Sequence, residues 1–434
     1  MVKHFHEIRD PIHVFIRLDT DERRVLDSRP FQRLRYIHQL ALTYLVYPGA
    51  THRRFEHSLG VMELAGRVFD VVTNRDNLHP DLRNITRTDD ELRYWRRVLR
   101  MAALCHDIGH LPFSHAAEDL LPDDWTHERL TVELIRSDEM ASIWNAMRPP
   151  LQIEDIVKLA VGPKELTDVA FSDWEAILAD IIVGNAFGVD RMDYLLRDSY
   201  HAGVSYGRFD HFRLIDTLRI LPRGGDNDNT PVLGIEDGGL HSAEALLLAR
   251  YFMFMQLYFH PVRRVYDIHL RDFLRSSLET GKYSARLDEH LSVTDSDILV
   301  AMQKAASDPT STGYDPARRI MARDHFRLLY QRNPTDLKVN IEAAIAVFDA
   351  ACRRFGASEL RYDSLKQRNV PIDFPVLTSD GRIVSSLDLS ETLNSVPVAK
   401  VDYVFIAPER RDEARRWLTD NREAIIAPEK ESEA

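Results

Sequence analysis

The run LCHDIGHLPFSH, residues 104–115, sets His106, Asp107, His110 and His115 close together at the end of an apolar helical stretch. Adjacent imidazole and carboxylate groups at a helix end can face one pocket, and that ligand mixture suits iron, manganese, zinc or magnesium. Two ligands do not close a site. The best further donors are His57 in RRFEHSLG (53–60) and Asp190 in FGVDRMDYLLRDSYH (187–201), each at or near the start of an expected helix. Asp193 competes with Asp190 for this role, and the register of GVDRMDY favours Asp190.

Outward from this run the chain reads as mainly helical. Apolar residues recur at mixed spacings of three and four over 26–46, 58–72 and 91–105, which predicts helices with one buried face. Further helices are expected at 125–137, 153–160, 173–183, 191–200 and 242–260. Pro and Gly in YPGATHRR (47–54), DIGHLP (107–112) and LLPDD (120–124) end or redirect them. Ahead of the first helix, DPIHVFIRLD (10–19) predicts a short strand or hairpin, with helix from about Thr20. RGGDNDNTPVLGIEDGG (223–239) is dense in turn formers and reads as a loop or hairpin. Past about residue 272 a helical portion runs to about 355. IDFPVL (372–377), GRIVSSLDL (381–389) and VDYVFIAP (401–408) then read as strands, and ERRDEARRWLTDN (409–421) as a helix. The expectation is a mainly α protein. It has a helical core over 1–275 with a short N-terminal β segment, and a C-terminal helical and α+β region over 276–434.

Composition narrows the function classes. With 434 residues, 44% apolar and 29% charged, the chain has ample length for a sizeable core, and disordered or collagen-like readings fit badly. A formal charge of −12 argues against broad adhesion to nucleic acid or anionic membrane, so phosphate binding must be local. Two cysteines, Cys105 and Cys352, supply neither a disulfide framework nor a zinc-finger pattern. The opening MVKHFHEIRD lacks the apolar core of a signal peptide, and the apolar run 245–259 carries Arg250 and Gln256 and is too short to span a bilayer. The expected location is cytoplasmic, with no membrane partner.

The order H, HD, D between helices resembles the HD superfamily of metal-dependent phosphohydrolases. The resemblance extends to EIRDPIH (7–13), LDSRPFQRLRYIHQL (26–40), YPGATHRRFEHSLG (47–60), HDIGHLPFSH (106–115), WTHE (125–128), VDRMDYLLRDSYHAG (189–203) and ARYFMFMQLYFHPVRR (249–264). These ordered blocks cover about 60% of the chain, roughly residues 5–270. They are similar to the deoxynucleoside triphosphate triphosphohydrolase branch, which holds the human sterile-alpha-motif enzyme and many bacterial relatives. The run ARYFMFMQLYFH is closer to the bacterial type. No sterile-alpha-motif domain is expected ahead of a region that begins near residue 5.

The resemblance implies one divalent metal ion, among manganese, iron, magnesium, zinc, cobalt and nickel, held by His57, His106, Asp107 and Asp190. It implies catalytic roles for His110, His115 and His127, with Glu118 in support where the human-type enzyme has aspartate. Arg54 would bind phosphate, a task suited to a planar guanidinium. Gln39, Leu40, Arg191, Tyr194, Asp198, Arg263 and Tyr266 would contact the rest of a nucleoside triphosphate substrate. Val262 and Asp267 depart from the human-type pattern, so base contacts are expected to differ. Asp27, Gln32 and Arg35 align with residues that grip an activating guanine nucleotide between subunits. The lysine upstream of that site is absent, with His6 near its place. A working activator site would entail a homo-oligomer, dimer or tetramer, by linkage. Two rivals remain open at this point: another nucleotide phosphate ester as substrate, and a catalytically silent nucleotide- or nucleic-acid-binding scaffold.

Overall fold

The computed structural model describes residues 5–80, 82, 87–223, 230–367 and 372–427, and the side chain of His115 lies outside the described residues. Two compact units share the chain: Met1–Met253 with Tyr283–Ile298 and Asn369–Pro397, and Phe254–Lys282 with Leu299–Arg368 and Val398–Ala434.

The first unit opens with β1 (Phe5–Asp10) and β2 (Val14–Asp19), paired antiparallel from Phe5↔Asp19 to Asp10↔Val14. Asp19 then caps α1 (Thr20–Leu26), accepting from the amides of Asp21 and Glu22, while Glu22 returns to the Asp19 amide. The expected continuous helix over 26–46 does not form. It is replaced by α2 (Arg29–Arg33), with Pro30 in its first turn, and by two 3₁₀ segments, Leu34–Tyr36 and Ala41–Leu45. Between those segments His38 bridges to Arg53, so the backbone there pairs across the chain. Periodicity alone could not show this, because the same apolar residues are buried by a broken path: Phe31, Leu34, Ile37 and Leu42 are almost wholly inaccessible.

Six other helices of the unit follow the expected spacing closely, and α6 forms where none was expected: α3 (Arg54–Val72), α4 (Asp89–Cys105), α5 (His127–Arg136), α6 (Asp138–Ala146), α7 (Ile153–Val161), α8 (Asp173–Val183) and α9 (Val189–Ala202). Helix α3 packs against α4 and α9, and α7 against α4 and α8. Fully buried Val61, Leu64, Val68, Leu99, Leu104, Ile181 and Leu195 fill that core, at about 1.5–3 kcal/mol per buried side chain. Helix α10 (His211–Thr217) leads into β3 (Leu218–Pro222) and β4 (Pro231–Glu236), an antiparallel hairpin whose tip, 224–229, lies outside the described residues. Helix α11 (Leu240–Met253) follows. The expected helix 242–260 thus stops at Met253, and Phe254–Tyr258 forms a π turn.

In the second unit α12 (Pro261–Ser277) starts at a proline. Returning to the first unit, α13 (Leu287–Ser292) precedes the start of α14 (Asp295–Ala306), whose opening residue Asp295 is buried; from Leu299 on α14 belongs to the second unit. The second unit continues with α15 (Tyr314–Met321), β5 (Arg327–Gln331), α16 (Pro334–Leu337), α17 (Ala343–Phe355) and β6 (Leu360–Lys366). Back in the first unit lie β7 (Pro375–Leu377), β8 (Ile383–Ser385), α18 (Ser386–Leu389) and α19 (Glu391–Ser395). The chain closes in the second unit with β9 (Lys400–Ile406) and α20 (Arg411–Ile426).

The late strands expected from IDFPVL, GRIVSSLDL and VDYVFIAP all form, but they do not share one sheet. Strand β7 pairs parallel with β4 through Ile235↔Val376, and β8 pairs antiparallel with β7, giving the order β3-β4-β7-β8. Only β9 joins the second sheet, ordered β5-β9-β6 and wholly antiparallel. Helices α17 and α20 cover it, with Val347, Ala351, Ala414 and Leu418 against Tyr330, Leu360, Val404 and Ile406. Strand β5 falls inside the portion read as helical. Its five residues are too few for a period to separate the two states.

Candidate metal centre and active site

Three helix ends carry the chemistry, all within the first unit. Helix α3 begins at Arg54 after extended Arg53, whose amide donates to Glu56 at 2.7 Å, so Arg54 and His57 stand about one turn apart on one face. Helix α4 stops at Cys105, and His106 and Asp107 leave its C-terminal end together. Asp190 lies in the first turn of α9, where a carboxylate is favoured by the helix dipole.

These elements bring the four expected ligands to one point. His57 Nε2 lies 3.1 Å from Asp190 Oδ1 and 3.7 Å from Asp107 Oδ2. His106 Nε2 lies 3.5 Å from Asp190 Oδ1 and 3.4 Å from Asp107 Oδ1. Nε2 of His106 is buried and makes no hydrogen bond within the protein. Its Nδ1 is 2.8 Å from the Ala103 carbonyl, which fixes Nδ1 as the protonated nitrogen and leaves Nε2 a free lone pair directed at the carboxylates. His57, His106 and Asp190 offer ligand atoms that all lie within 4.8 Å of one another, Asp107 stands beside both imidazoles, and with one unengaged buried nitrogen this set fits a divalent cation.

Asp193, the rival ligand, has a different place. Its Oδ2 lies 2.9 Å from His57 Nδ1, on the far side of that ring from Asp190. It also receives Arg197 through two bonds of 2.8 and 3.0 Å and stands 2.7 Å from His13 Nε2, while Arg197 reaches Asp10 at 2.8 Å. Asp193 thus orients a ligand instead of supplying one. Burial raises its pKa, but Arg197, His13 and His57 outweigh this and hold the carboxyl well below the usual range. For His57 burial acts downward, and the carboxylates of Asp190, Asp193 and Asp107 outweigh it, carrying the imidazole to about 10. Gly60 makes this approach of α9 to α3 feasible: a Cβ there would fall 1.9 Å from Asp193 Oδ1.

Beside the four residues lies a chain of linked polar groups. Arg54, buried, is hydrogen-bonded to Asp107 and donates through Nε to Ser114 Oγ at 2.7 Å. His110 Nε2 is 3.2 Å from Asp107 Oδ1, and its ring stacks on His127 with centroids 3.9 Å apart. The two histidines are polarised oppositely. Burial, Arg54 and His127 push His110 well below its ordinary value. His127 is lowered by burial but raised overall by Glu118, to which it is hydrogen-bonded, and by Glu128, 3.2 Å from its Nε2. Gly109 permits this stacking, since a Cβ there would meet the His127 carbonyl at 2.2 Å.

The residues expected to touch substrate divide. Arg191 is hydrogen-bonded to the Gly184 carbonyl and to Asn185 Oδ1, and half-buried Tyr194 follows it on α9. Buried Arg250, which the sequence did not single out, hydrogen-bonds Tyr194, and its Nη1 lies 3.5 Å from the Asn185 carbonyl. Asp198 is buried against His52, 2.7 Å from its Nε2, and the Gln39 amide donates to the His52 carbonyl at 3.0 Å, so Gln39 and Asp198 share one neighbour. Leu40 is buried next to Gln39. Arg263 and Tyr266 belong to the second unit. There Arg263 donates to the Tyr258 carbonyl at 2.6 Å, and Tyr266 meets His325 edge-on at 4.9 Å. Asp27 caps the C-terminal end of α1, Gln32 lies in α2, and Arg35 in the 3₁₀ segment Leu34–Tyr36. Asp27 pairs with Arg23 at 3.3 Å, Gln32 donates to the Leu26 carbonyl at 2.7 Å, and exposed Arg35 lies over the Phe55 ring at 3.5 Å.

Comparison with known proteins agrees with this geometry. Residues 54–197 match the HD domain and residues 209–380 the HD associated region. The chain belongs to the HD-domain family of phosphohydrolases, whose members bind a divalent metal. It is 31% identical over 351 residues to the uncharacterized protein YwfO of Bacillus subtilis, covering 76% of this chain and 72% of that one. It is 33% identical over 292 residues to the deoxynucleoside triphosphate triphosphohydrolase SAMHD1 of Homo sapiens, of which it spans 44%. A crystal structure of a hypothetical protein from Aquifex aeolicus superposes with a TM-score of 0.78 at 31% identity, covering 95% of this chain and all of that one. No helix among the described residues is long and apolar enough to cross a membrane.

Proposed function

We propose that the protein hydrolyses deoxynucleoside triphosphates to deoxynucleoside and inorganic triphosphate. The observation that carries this reading is the convergence of His57, His106, Asp107 and Asp190 beside Arg54 and the stacked His110–His127 pair. Similarity to SAMHD1 supplies the substrate class. His57, His106, Asp107 and Asp190 would hold a divalent ion, which would polarise a phosphoryl oxygen and lower the pKa of a bound water. Arg54 and Arg191 present guanidinium groups to the phosphates and stabilise charge there as it builds. Water adds to the α-phosphorus and the bond to the 5′ oxygen breaks. His127, whose pKa Glu118 and Glu128 raise, gives a proton to the departing oxygen, and His110, whose pKa burial lowers, accepts the proton of the attacking water. Tyr194 lies under the deoxyribose, Asp198 serves the phosphate and sugar contacts, and Gln39 and Leu40 meet the sugar 3′-hydroxyl and base. Asp27, Gln32 and Arg35 receive a nucleotide activator in a homo-oligomer, and the protein works in the cytoplasm. The phosphohydrolase core is residues 1–275, followed by a C-terminal helical and α+β region over 276–434.

The test is product analysis. Each deoxynucleoside triphosphate, singly and mixed, is incubated with protein loaded with manganese, magnesium, iron or cobalt, and products are separated by chromatography. Deoxynucleoside and triphosphate in equal amounts, lost in Asp107→Ala, support the reading. Orthophosphate, or no product with any ion, overturns it. Turnover only in mixtures supports the activator site.

A further inference from the structure

Two residues in the catalytic loop sit in an unfavourable backbone region, and a carboxylate far along the chain holds them there. Phe113 and Ser114 both have φ of 57°, a left-handed conformation that non-glycine residues adopt only when their surroundings impose it. The Phe113 amide donates to Asp295 Oδ1 at 2.7 Å. The other oxygen of Asp295 accepts from the His38 amide at 2.7 Å and stands 2.6 Å from His38 Nδ1. Ser114 Oγ then donates to the His38 carbonyl at 3.0 Å while accepting from Arg54 Nε at 2.7 Å, and Arg54 is bonded to the ligand Asp107. A second strut runs parallel. Arg33 donates to the His110 carbonyl at 2.8 Å and to the Val293 carbonyl at 3.0 Å, so Val293 and Asp295 secure both ends of the loop 110–114.

We propose that Asp295 is a positioning residue for catalysis. It clamps Phe113 and His38 so that Ser114 aims the Arg54 guanidinium at the substrate phosphates. Both carboxylate oxygens face donors, so an amide cannot replace it: one side of an asparagine would present N–H groups to a backbone N–H. A misaimed guanidinium loses alignment with the transferring phosphate, and displacements of this order cost rates of about 10- to 100-fold. The inference rests on the reading that Arg54 binds substrate phosphate, and the experiment separates the two.

Hydrolysis of deoxyguanosine triphosphate is measured for the wild type, Asp295→Asn, Arg54→Ala and the double variant, all metal-loaded, together with amide hydrogen exchange of residues 110–114. The clamp predicts that Asp295→Asn lowers kcat/KM by about 10- to 100-fold in the wild-type background but by less than about 3-fold once Arg54 is gone, with faster exchange across the loop. Equal losses in both backgrounds, or unchanged turnover and exchange, overturn it. Should Asp295→Asn fail to fold, Ser114→Ala breaks the same line one bond from Arg54 and enters the same cycle with the same expected coupling. If the wild type hydrolyses no nucleotide, the assignment of Arg54 falls. Exchange then decides the clamp: acceleration in Asp295→Asn supports it, and wild-type protection overturns it.

Discussion

His57 lies between two carboxylates of α9, with Nδ1 2.9 Å from Asp193 Oδ2 and Nε2 3.1 Å from Asp190 Oδ1. The Asp193 side chain has no exposed surface. It therefore cannot reach a ligand or substrate, and what it does it does through the ring. Acceptance of the Nδ1 proton holds the lone pair on Nε2 and raises its basicity, which metal-bound histidines obtain widely from a carboxylate or carbonyl.

Asp193→Asn should lower metal affinity by about 10- to 100-fold while leaving the four ligands in place. Competition between the protein and a coloured chelator for zinc or cobalt measures this directly. An unchanged affinity would remove Asp193 from the metal centre. Conversely, His57→Ala should abolish stoichiometric binding, because no other described imidazole faces both Asp107 and Asp190 from that side.

Close approach of the two helices gives a second prediction. A methyl group at residue 60 would stand 1.9 Å from Asp193 Oδ1 and 2.5 Å from Arg197 Nη2, both anchored by several bonds. Neither can swing away as a free surface side chain would. Gly60→Ala should destabilise the fold by about 1–3 kcal/mol and weaken metal binding as well, since relief of the clash moves Asp193. Chemical denaturation paired with metal titration checks both; a loss confined to stability would mean that α9 shifts as a rigid body.

How much of this was legible in the chain turns on locality. His57, His106, Asp107 and Asp190 stood out because each sits where an apolar period begins or ends, and such boundaries can be read from a few residues. The register of GVDRMDY favoured Asp190 over Asp193 as a ligand, but the role of Asp193 depends on which face of α9 meets α3, and that the sequence did not show. His13 and Asp10 belong to a hairpin tip some 180 positions before their partners, and Asp295 follows its own by a similar distance. A carboxylate at such separation carries no local mark of its task. The break in 26–46 was hidden for a related reason: a bridge from His38 to Arg53 decides it, and the apolar period is compatible with either path.

The short link between His127 and Glu118 supports a third prediction, on rate. Glu118 reaches His127 Nδ1 and Glu128 its Nε2, so removal of one charge leaves the other in place. Glu118→Gln should lower kcat by about 100-fold, the low end of what general acid catalysis contributes, with metal content unchanged. The carboxyl sits on a 3₁₀ segment, and Glu118→Asp should recover only part of the loss because the shorter arm falls back from the ring. Full activity in Glu118→Gln, with metal bound, would exclude His127 as the acid.

Acid stability gives the last prediction, away from the metal. His290 on α13 is buried, and burial together with the Arg33 charge depresses its pKa from 6.5 to about 2. The folded protein keeps this ring neutral while the unfolded chain protonates it below about pH 6.5. Since the depressed value belongs to the folded state, the contribution is fully present above 6.5 and is lost as pH falls toward 2. Each unit across that window costs up to about 1.4 kcal/mol of stability. His290→Leu removes the proton uptake, so its unfolding free energy should fall less steeply between pH 6 and pH 4, by up to one proton in slope. Denaturant titrations of the metal-free protein at half-unit intervals read that slope without interference from competition between protons and a bound ion for its ligands. Parallel curves for wild type and variant would show that Arg33 and His290 separate, or water reaches the ring, before acid unfolds the chain.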